Sequence, residues 1–189
     1  ALYQLGLRNF AENRLQEAQE KQALLPKDIL WHFIGSIQTN KIRKLIGSFY
    51  LIHSIENFSP LAEKIDLASY ERGITTDVLL EVNTSQELTK HGMTREILLA
   101  EFPVFLSCKH IRVRGLMTMA SQYMPNDLEN EPKARHCFQE LRKLKEILIQ
   151  RHPEAEEHFT QLSMGMSQDF EIAIEEGATI VRIGSALFV

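Results

Sequence analysis

Cysteine is scarce here: Cys108 and Cys137 are the only two among 189 residues, and they form no Cys-x-x-Cys pair. That excludes a disulfide framework and a thiolate zinc site, and it suits a reducing compartment. Long apolar runs are lacking too, since no stretch approaches the length needed to cross a bilayer, so no membrane partner is expected. Runs of Lys or Arg are missing, and a net charge of -4 leaves no electrostatic footprint for nucleic acid. Several motifs are absent: Gly-x-Gly-x-x-Gly, a Walker-type Gly-Lys-Ser/Thr, His-Glu-x-x-His and Gly-x-Ser-x-Gly. Dinucleotide, P-loop and zincin readings lose their support, and no carboxylate pair stands out as acid and base. What remains has ordinary globular proportions, 44% hydrophobic and 24% charged. A chain of this length is expected to form one domain, burying roughly 70% of the surface it exposes when unfolded.

Short apolar runs alternate with helical patterns along the chain. Ala1-Leu2-Tyr3-Gln4-Leu5-Gly6 reads as a helix tail closed by glycine. Seven strands are predicted, at Leu7–Phe10, Leu30–Ile34, Phe49–Ile55, Thr76–Val82, Ile111–Met117, His158–Leu162 and Thr179–Ile183. Runs such as Val78-Leu79-Leu80 are continuous in apolar residues, as strands covered on both faces should be. Between them, Leu61, Ile65 and Ala68 share a helix face, as do Phe138, Leu141, Leu144 and Leu148, and again Phe170, Ala173 and Ile174. Asn13, Ser167 and Asp169 fit cap or first-turn positions, and Gln122–Lys133 is the one long loop.

Strand–helix alternation predicts a parallel sheet with helices outside. A closed barrel fits better than an open sheet, because Asn13, Ser36, Ser54, Asn83, Ser163 and Gly184 all fall just past strand ends, where barrels build their sites. The fold class is therefore α/β, a TIM-type (β/α)8 barrel of a single domain over 1–189. Seven strands after an orphan helix tail would leave two unpaired edges. The expectation is that the first barrel strand lies before Ala1 and that the domain is incomplete at its N-terminus.

The segment Leu162-Ser163-Met164-Gly165-Met166-Ser167-Gln168-Asp169 is read as a strand-to-helix turn, with Ser167 as its cap. Taken alone, it needs no ligand. Val181-Arg182-Ile183-Gly184-Ser185 changes that balance. Arg182 ends an apolar strand, where an unpaired charge is costly, and Gly184 and Ser185 offer donors with little bulk. Barrels often hold phosphate in the loops after their last two strands, and these are those loops. A phosphate-bearing ligand is one reading; a buried ion pair of Arg182 with Asp169 or a glutamate is the other. His32 and His53 read as satisfied core histidines, and Lys90-His91-Gly92 as a turn.

Ala11-Glu12-Asn13-Arg14, Trp31-His32-Phe33-Ile34-Gly35 through Gln38-x-Asn40-Lys41, His53-Ser54 and Val82-Asn83 form an ordered set. Arg114-Gly115-Leu116-Met117, Leu162-Ser163-Met164-Gly165-Met166-Ser167 and Val181-Arg182-Ile183-Gly184 complete it. With these motifs the chain resembles, over essentially its whole length, the pyridoxal phosphate homeostasis protein family (YggS/PROSC). The resemblance implies a barrel like the N-terminal domain of alanine racemase, holding pyridoxal 5′-phosphate (PLP) as a lysine Schiff base. It implies Arg182 at the pyridine nitrogen, Ser163, Gly184 and Ser185 on the phosphate, and Asn13, Ile34 and Met164 lining the cofactor. It implies a carrier or regulator in PLP homeostasis without established turnover, acting in the cytoplasm as a monomer on PLP and PLP-dependent apoenzymes. The alternative is a PLP-dependent amino-acid racemase-like enzyme. Departures are Ala11 where the family usually has Gly, Ser185 where Thr is common, and no lysine before Lys21, the family's Schiff-base lysine lying on the first barrel strand.

Overall fold

The computed structural model describes residues 1–87, 89–120 and 130–187. Seven strands lie side by side in chain order, every neighbouring pair parallel. They are β1 (Asn9–Glu12), β2 (Leu30–Phe33), β3 (Leu51–Ile55), β4 (Thr76–Glu81), β5 (Ile111–Met117), β6 (Gln161–Met166) and β7 (Ile180–Arg182). Helices connect them: α1 (Leu15–Leu24), α2 (Ile42–Leu45), α3 (Glu63–Glu71), α4 (Arg95–Ser107), α5 (Glu131–Arg151) and α6 (Phe170–Glu175). This is the TIM-type barrel that the alternation predicts, seven strands around and nearly closed. Among the described residues β1 and β7 are not paired with each other, and a groove of about 560 Å³ runs between them, walled by Phe10, Ile34, Ile183 and Leu187 among others.

Two apolar clusters follow from strand alternation. The larger lies between sheet and helices, where Ile52, Val78, Leu80, Leu116, Leu162 and Met164 meet Ile65, Phe102, Phe138 and Leu141. The smaller lies inside the barrel, where Leu51, Leu79 and Met117 pack with Ile180. Two residues further along three of those strands, the same inward face carries His53, Glu81 and Arg182. The barrel interior is thus apolar at one level and polar nearer the C-terminal strand ends.

Two strands sit later in the chain than the apolar pattern predicts. β1 starts at Asn9 rather than Leu7, with Leu7 exposed before it. β6 starts at Gln161 rather than His158, because Phe159 is fully buried from a turn whose amide bonds back to the Ala155 carbonyl at 2.8 Å. Its apolar character imitates a strand. β6 consequently runs on through Met166, so the Ser-Met-Gly-Met run is strand and not turn. The faces predicted on α3 and α5 are buried as read. On α6 the buried residues are Ile172 and Ala173, while Ile174 is exposed, since a six-residue helix presents little more than one turn to the sheet. Of the predicted Gln122–Lys133 loop, 122–129 lie outside the described residues, and α5 already begins at Glu131.

Candidate functional site

β6 and β7 set the site. Gly165 has φ +90°, a conformation open to glycine at little cost, and a Cβ there would lie 2.5 Å from that of Ala173. The register between β6 and β7 shifts between Ser163 and Met166, which faces Arg182. Strand β6 therefore sends Ser163 inward and delivers Ser167 to the rim beside the loop that follows β7.

The guanidinium of Arg182 is held by neutral oxygens. Its Nη1 donates to Ser163 Oγ at 2.6 Å and its Nη2 to the Thr118 carbonyl at 2.8 Å. The carboxylates of Asp169 and Glu81 act on it only through their field. Asp169 instead turns back, its Oδ1 accepting the Met166 amide at 2.6 Å. Burial draws the Arg182 pKa down to about 10, against the pull of those carboxylates, so the group stays cationic at neutral pH. Its hydrogen bonds leave further N–H donors on the fork for a ligand.

Above Arg182 two backbone amides converge. Gly184 and Ala186 both donate to Ser167 Oγ, at 3.1 and 3.4 Å. Backbone amides converging on one oxygen are the donor set that an anion takes. Open space faces Gly184 on the side where a Cβ would stand. A cavity of about 540 Å³ spans this rim and is lined by Lys90, Ala120, Met166, Ser167, Asp169, Arg182, Gly184 and Ser185. Lys90 is fixed there, its Nζ donating to the Ala120 carbonyl at 2.6 Å and standing 3.1 Å from the Glu87 carboxylate. On β4, burial and then the neighbouring Glu56 push the Glu81 carboxyl up to about 7, with His91 and Arg182 opposing.

Beneath the cavity the histidines form a continuous chain. His53 Nδ1 lies 2.9 Å from Ser163 Oγ, His53 Nε2 lies 2.9 Å from His32 Nδ1, and His32 Nε2 lies 3.1 Å from Asn9 Oδ1. Burial draws the His32 pKa down to about 4. His53 is held well below its ordinary value, first by burial and then by the fields of His32 and Arg182.

The seven residues predicted to contact a cofactor are thus not all in one place. Arg182, Gly184 and Ser185 share the cavity. Ile34 borders the adjoining groove, which Arg182 and Gly184 also line. Asn13 opens onto a different depression, with Arg14 and Ser36. The pleat turns Met164 outward into the sheet–helix layer, fully buried, so only its backbone is left for the cavity side. Ser163 is fully buried as well, with its hydroxyl engaged by Arg182 and His53; the serine beside the loop amides is Ser167. From sequence alone Ser167 reads as a helix cap and Lys90 as a turn residue. The true extent of β6 is the signal that separates Ser163, inside the strand, from Ser167, just past its end, and it is concealed by the misplaced strand start.

The model of the alanine racemase N-terminal domain family matches residues 1–189. The pyridoxal phosphate homeostasis protein of Aquifex aeolicus is 46% identical over 187 residues, covering 98% of this chain and 78% of that protein. The protein of the same name from Synechocystis is 39% identical, covering 100% of this chain and 83% of its own. Among solved structures, PipY of Synechococcus elongatus with PLP bound superposes with a TM-score of 0.88 at 36% identity, over 99% of this chain and 84% of that one. Alanine racemase of Clostridium difficile shares the fold, with a TM-score of 0.75 at 15% identity, this chain covering 48% of it. A parallel barrel with this rim, matched over its whole length at such identities, belongs to the alanine racemase N-terminal domain family, among the pyridoxal phosphate homeostasis proteins.

Proposed function

We propose that this protein binds PLP at the rim formed by β6 and β7 and serves PLP homeostasis as a carrier or regulator without turnover of its own. The observation that carries the reading is Arg182, a half-buried cation given only neutral hydrogen-bond partners among the described residues, in one cavity with Gly184, whose amide converges with that of Ala186. The donor set fits the cofactor. An anion-binding loop stands at one end and a cationic fork at the other, in a cavity whose volume lies in the range of small-molecule sites.

In this reading Ser167, Gly184 and Ser185 take the phosphate, Arg182 faces the pyridine nitrogen and Ile34 borders the ring. Met164 contributes backbone, Asn13 lines the outer approach, and Ser163 holds Arg182. Bound PLP supplies an aldehyde that combines with amines and a ring that withdraws electrons. Arg182 limits the second property, because a guanidinium donates to the ring nitrogen without yielding its proton and keeps that nitrogen neutral. The residues therefore bind and orient more than they activate, which favours storage and delivery over racemisation. We further propose that the protein acts in the cytoplasm as a monomer and passes PLP to apoenzymes; among the described residues no helix is long and apolar enough to cross a membrane.

Titration of the full-length protein with PLP, followed by absorbance, tests the reading. Saturable binding that is lost in Arg182→Glu and Gly184→Asp is expected. Unchanged affinity in both variants overturns the site. Amino-acid racemisation above a protein-free control, abolished in Arg182→Gln, overturns the absence of turnover.

A further inference from the structure

With Asn9 Oδ1 facing His32, the chain of contacts under the cavity takes one polarity. An arginine only donates, and the carbonyl oxygen of an asparagine side chain only accepts. Arg182 Nη1 donates its hydrogen bond to Ser163 Oγ. The serine hydroxyl is then free to donate to His53 Nδ1, which places the His53 proton on Nε2, facing His32 Nδ1. His32 in turn carries its proton on Nε2 and donates to Asn9 Oδ1. One donor and one acceptor meet at every step, with both rings neutral. The reverse order would set two lone pairs against each other at the His32–Asn9 contact. The low pKa of both rings is consistent with this arrangement.

We propose that this one-directional relay aims the Arg182 guanidinium, with Ser163 and His53 as positioning residues for the cofactor-facing arginine. The proposal rests on the reading above that Arg182 faces the bound cofactor. Its physical basis is that Ser163 is the neutral acceptor on Nη1, while the Thr118 carbonyl holds only Nη2. The serine hydroxyl has one proton, and His53 fixes where it points. Without His53 the hydroxyl is free to rotate and Arg182 loses a defined direction. The relay also spans the barrel, from a depression at Asn9 and His32 to the rim at Arg182.

Two measurements on the full-length protein test it. In the protein without PLP, nitrogen-15 NMR of the imidazoles at neutral pH should show His32 and His53 both neutral with the proton on Nε2. A proton on Nδ1 of either ring, or a cationic ring, overturns the relay, and no variant is needed for this arm. In the second, PLP affinity and the absorbance maximum of bound PLP are compared for wild type, His53→Phe, His53→Gln and Arg182→Gln. Phenylalanine can neither accept nor donate, whereas glutamine does both. His53→Phe should bind roughly tenfold more weakly and move the maximum in the same direction as Arg182→Gln, with His53→Gln restoring both, since a hydrogen bond to a charged group has about that effect. If Arg182→Gln alters the spectrum but His53→Phe does not, the relay fails alone. If Arg182→Gln alters neither quantity, the placement of Arg182 at the cofactor fails and the purpose of the relay with it.

Discussion

Two arginines in this barrel are treated in opposite ways. Arg135, on the surface of α5, bonds Glu131, Glu175 and Glu176 at 2.7 to 3.3 Å, and its pKa is raised by those carboxylates. Arg182, inside the barrel, is given a hydroxyl and a carbonyl, and its pKa is lowered by burial. The first arginine is neutralised by its own chain and ties α5 to α6. Among the described residues the second keeps its charge uncompensated by any direct ion pair, at a cost in stability, and that retained charge is what a ligand can use. A fully partnered cation points to architecture, and a half-buried cation with neutral partners points to binding.

The comparison is broken most severely at Arg182 itself. Arg182→Gln should weaken PLP binding about a hundredfold, near the upper range for a hydrogen bond to a charged group. Its unfolding free energy should hold or rise slightly, because a half-buried charge without an ion-pair partner among the described residues has been removed. A fall in both affinity and stability in urea titration would place Arg182 with Arg135 as a structural residue. Gly165→Ala tests the strand that presents Ser163 below Arg182 and Ser167 above. A side chain at φ +90° and 2.5 Å from Ala173 Cβ should cost about 2 kcal/mol of stability by denaturant unfolding. A neutral outcome would show that β6 can straighten.

Glu81 sharpens the contrast, since its ionisation would give Arg182 a charged neighbour of the kind Arg135 has. Its folded pKa of about 7 exceeds the usual 4.5, so between these values the folded chain holds a proton that the unfolded chain has lost. Stability from this group is present below pH 4.5 and is lost as pH rises through 7. His32 has the opposite sign: with a folded pKa of about 4 against 6.5, its contribution is lost as pH falls from 6.5 toward 4, and His53 shifts in the same direction. Glu81→Gln should therefore gain stability over wild type between pH 5 and 7.5, by about 1–2 kcal/mol, measured in urea at each pH. A constant difference across that range would show that Glu81 is ionised in both states. The smallest effect belongs to Arg135→Gln, which should lower stability by about 1 kcal/mol or less and leave PLP affinity unchanged. A change in PLP affinity there would erase the distinction.

The two arginines also show what could be read in advance. Arg182 at the end of an apolar strand, with Gly184 and Ser185 after it, is legible as an anion site because a charge is out of place there. The barrel is legible from seven apolar runs separated by helical patterns. Ser163 is not legible as a support for Arg182, since the apolar pattern ends its strand at Leu162, one residue before it, and Phe159 obscures where β6 begins. His53 read as a core residue, and it is one; its contact with Ser163 joins positions 110 apart in sequence, which no local pattern encodes.

The amino-acid order by itself determined the elements and the faces of most of them, because burial on two sides of a strand and one side of a helix leaves a short-range period in the chain. Only the tertiary structure decided that Arg182 would have no ion pair among the described residues, that Ser167 and not Ser163 would stand under the loop amides, and that two histidines, a serine and an asparagine would meet in one line. Those outcomes depend on the register of β6 against β7 and on the closing curvature of the sheet. These bring inward-facing residues of separate strands within hydrogen-bond distance only once the barrel has formed.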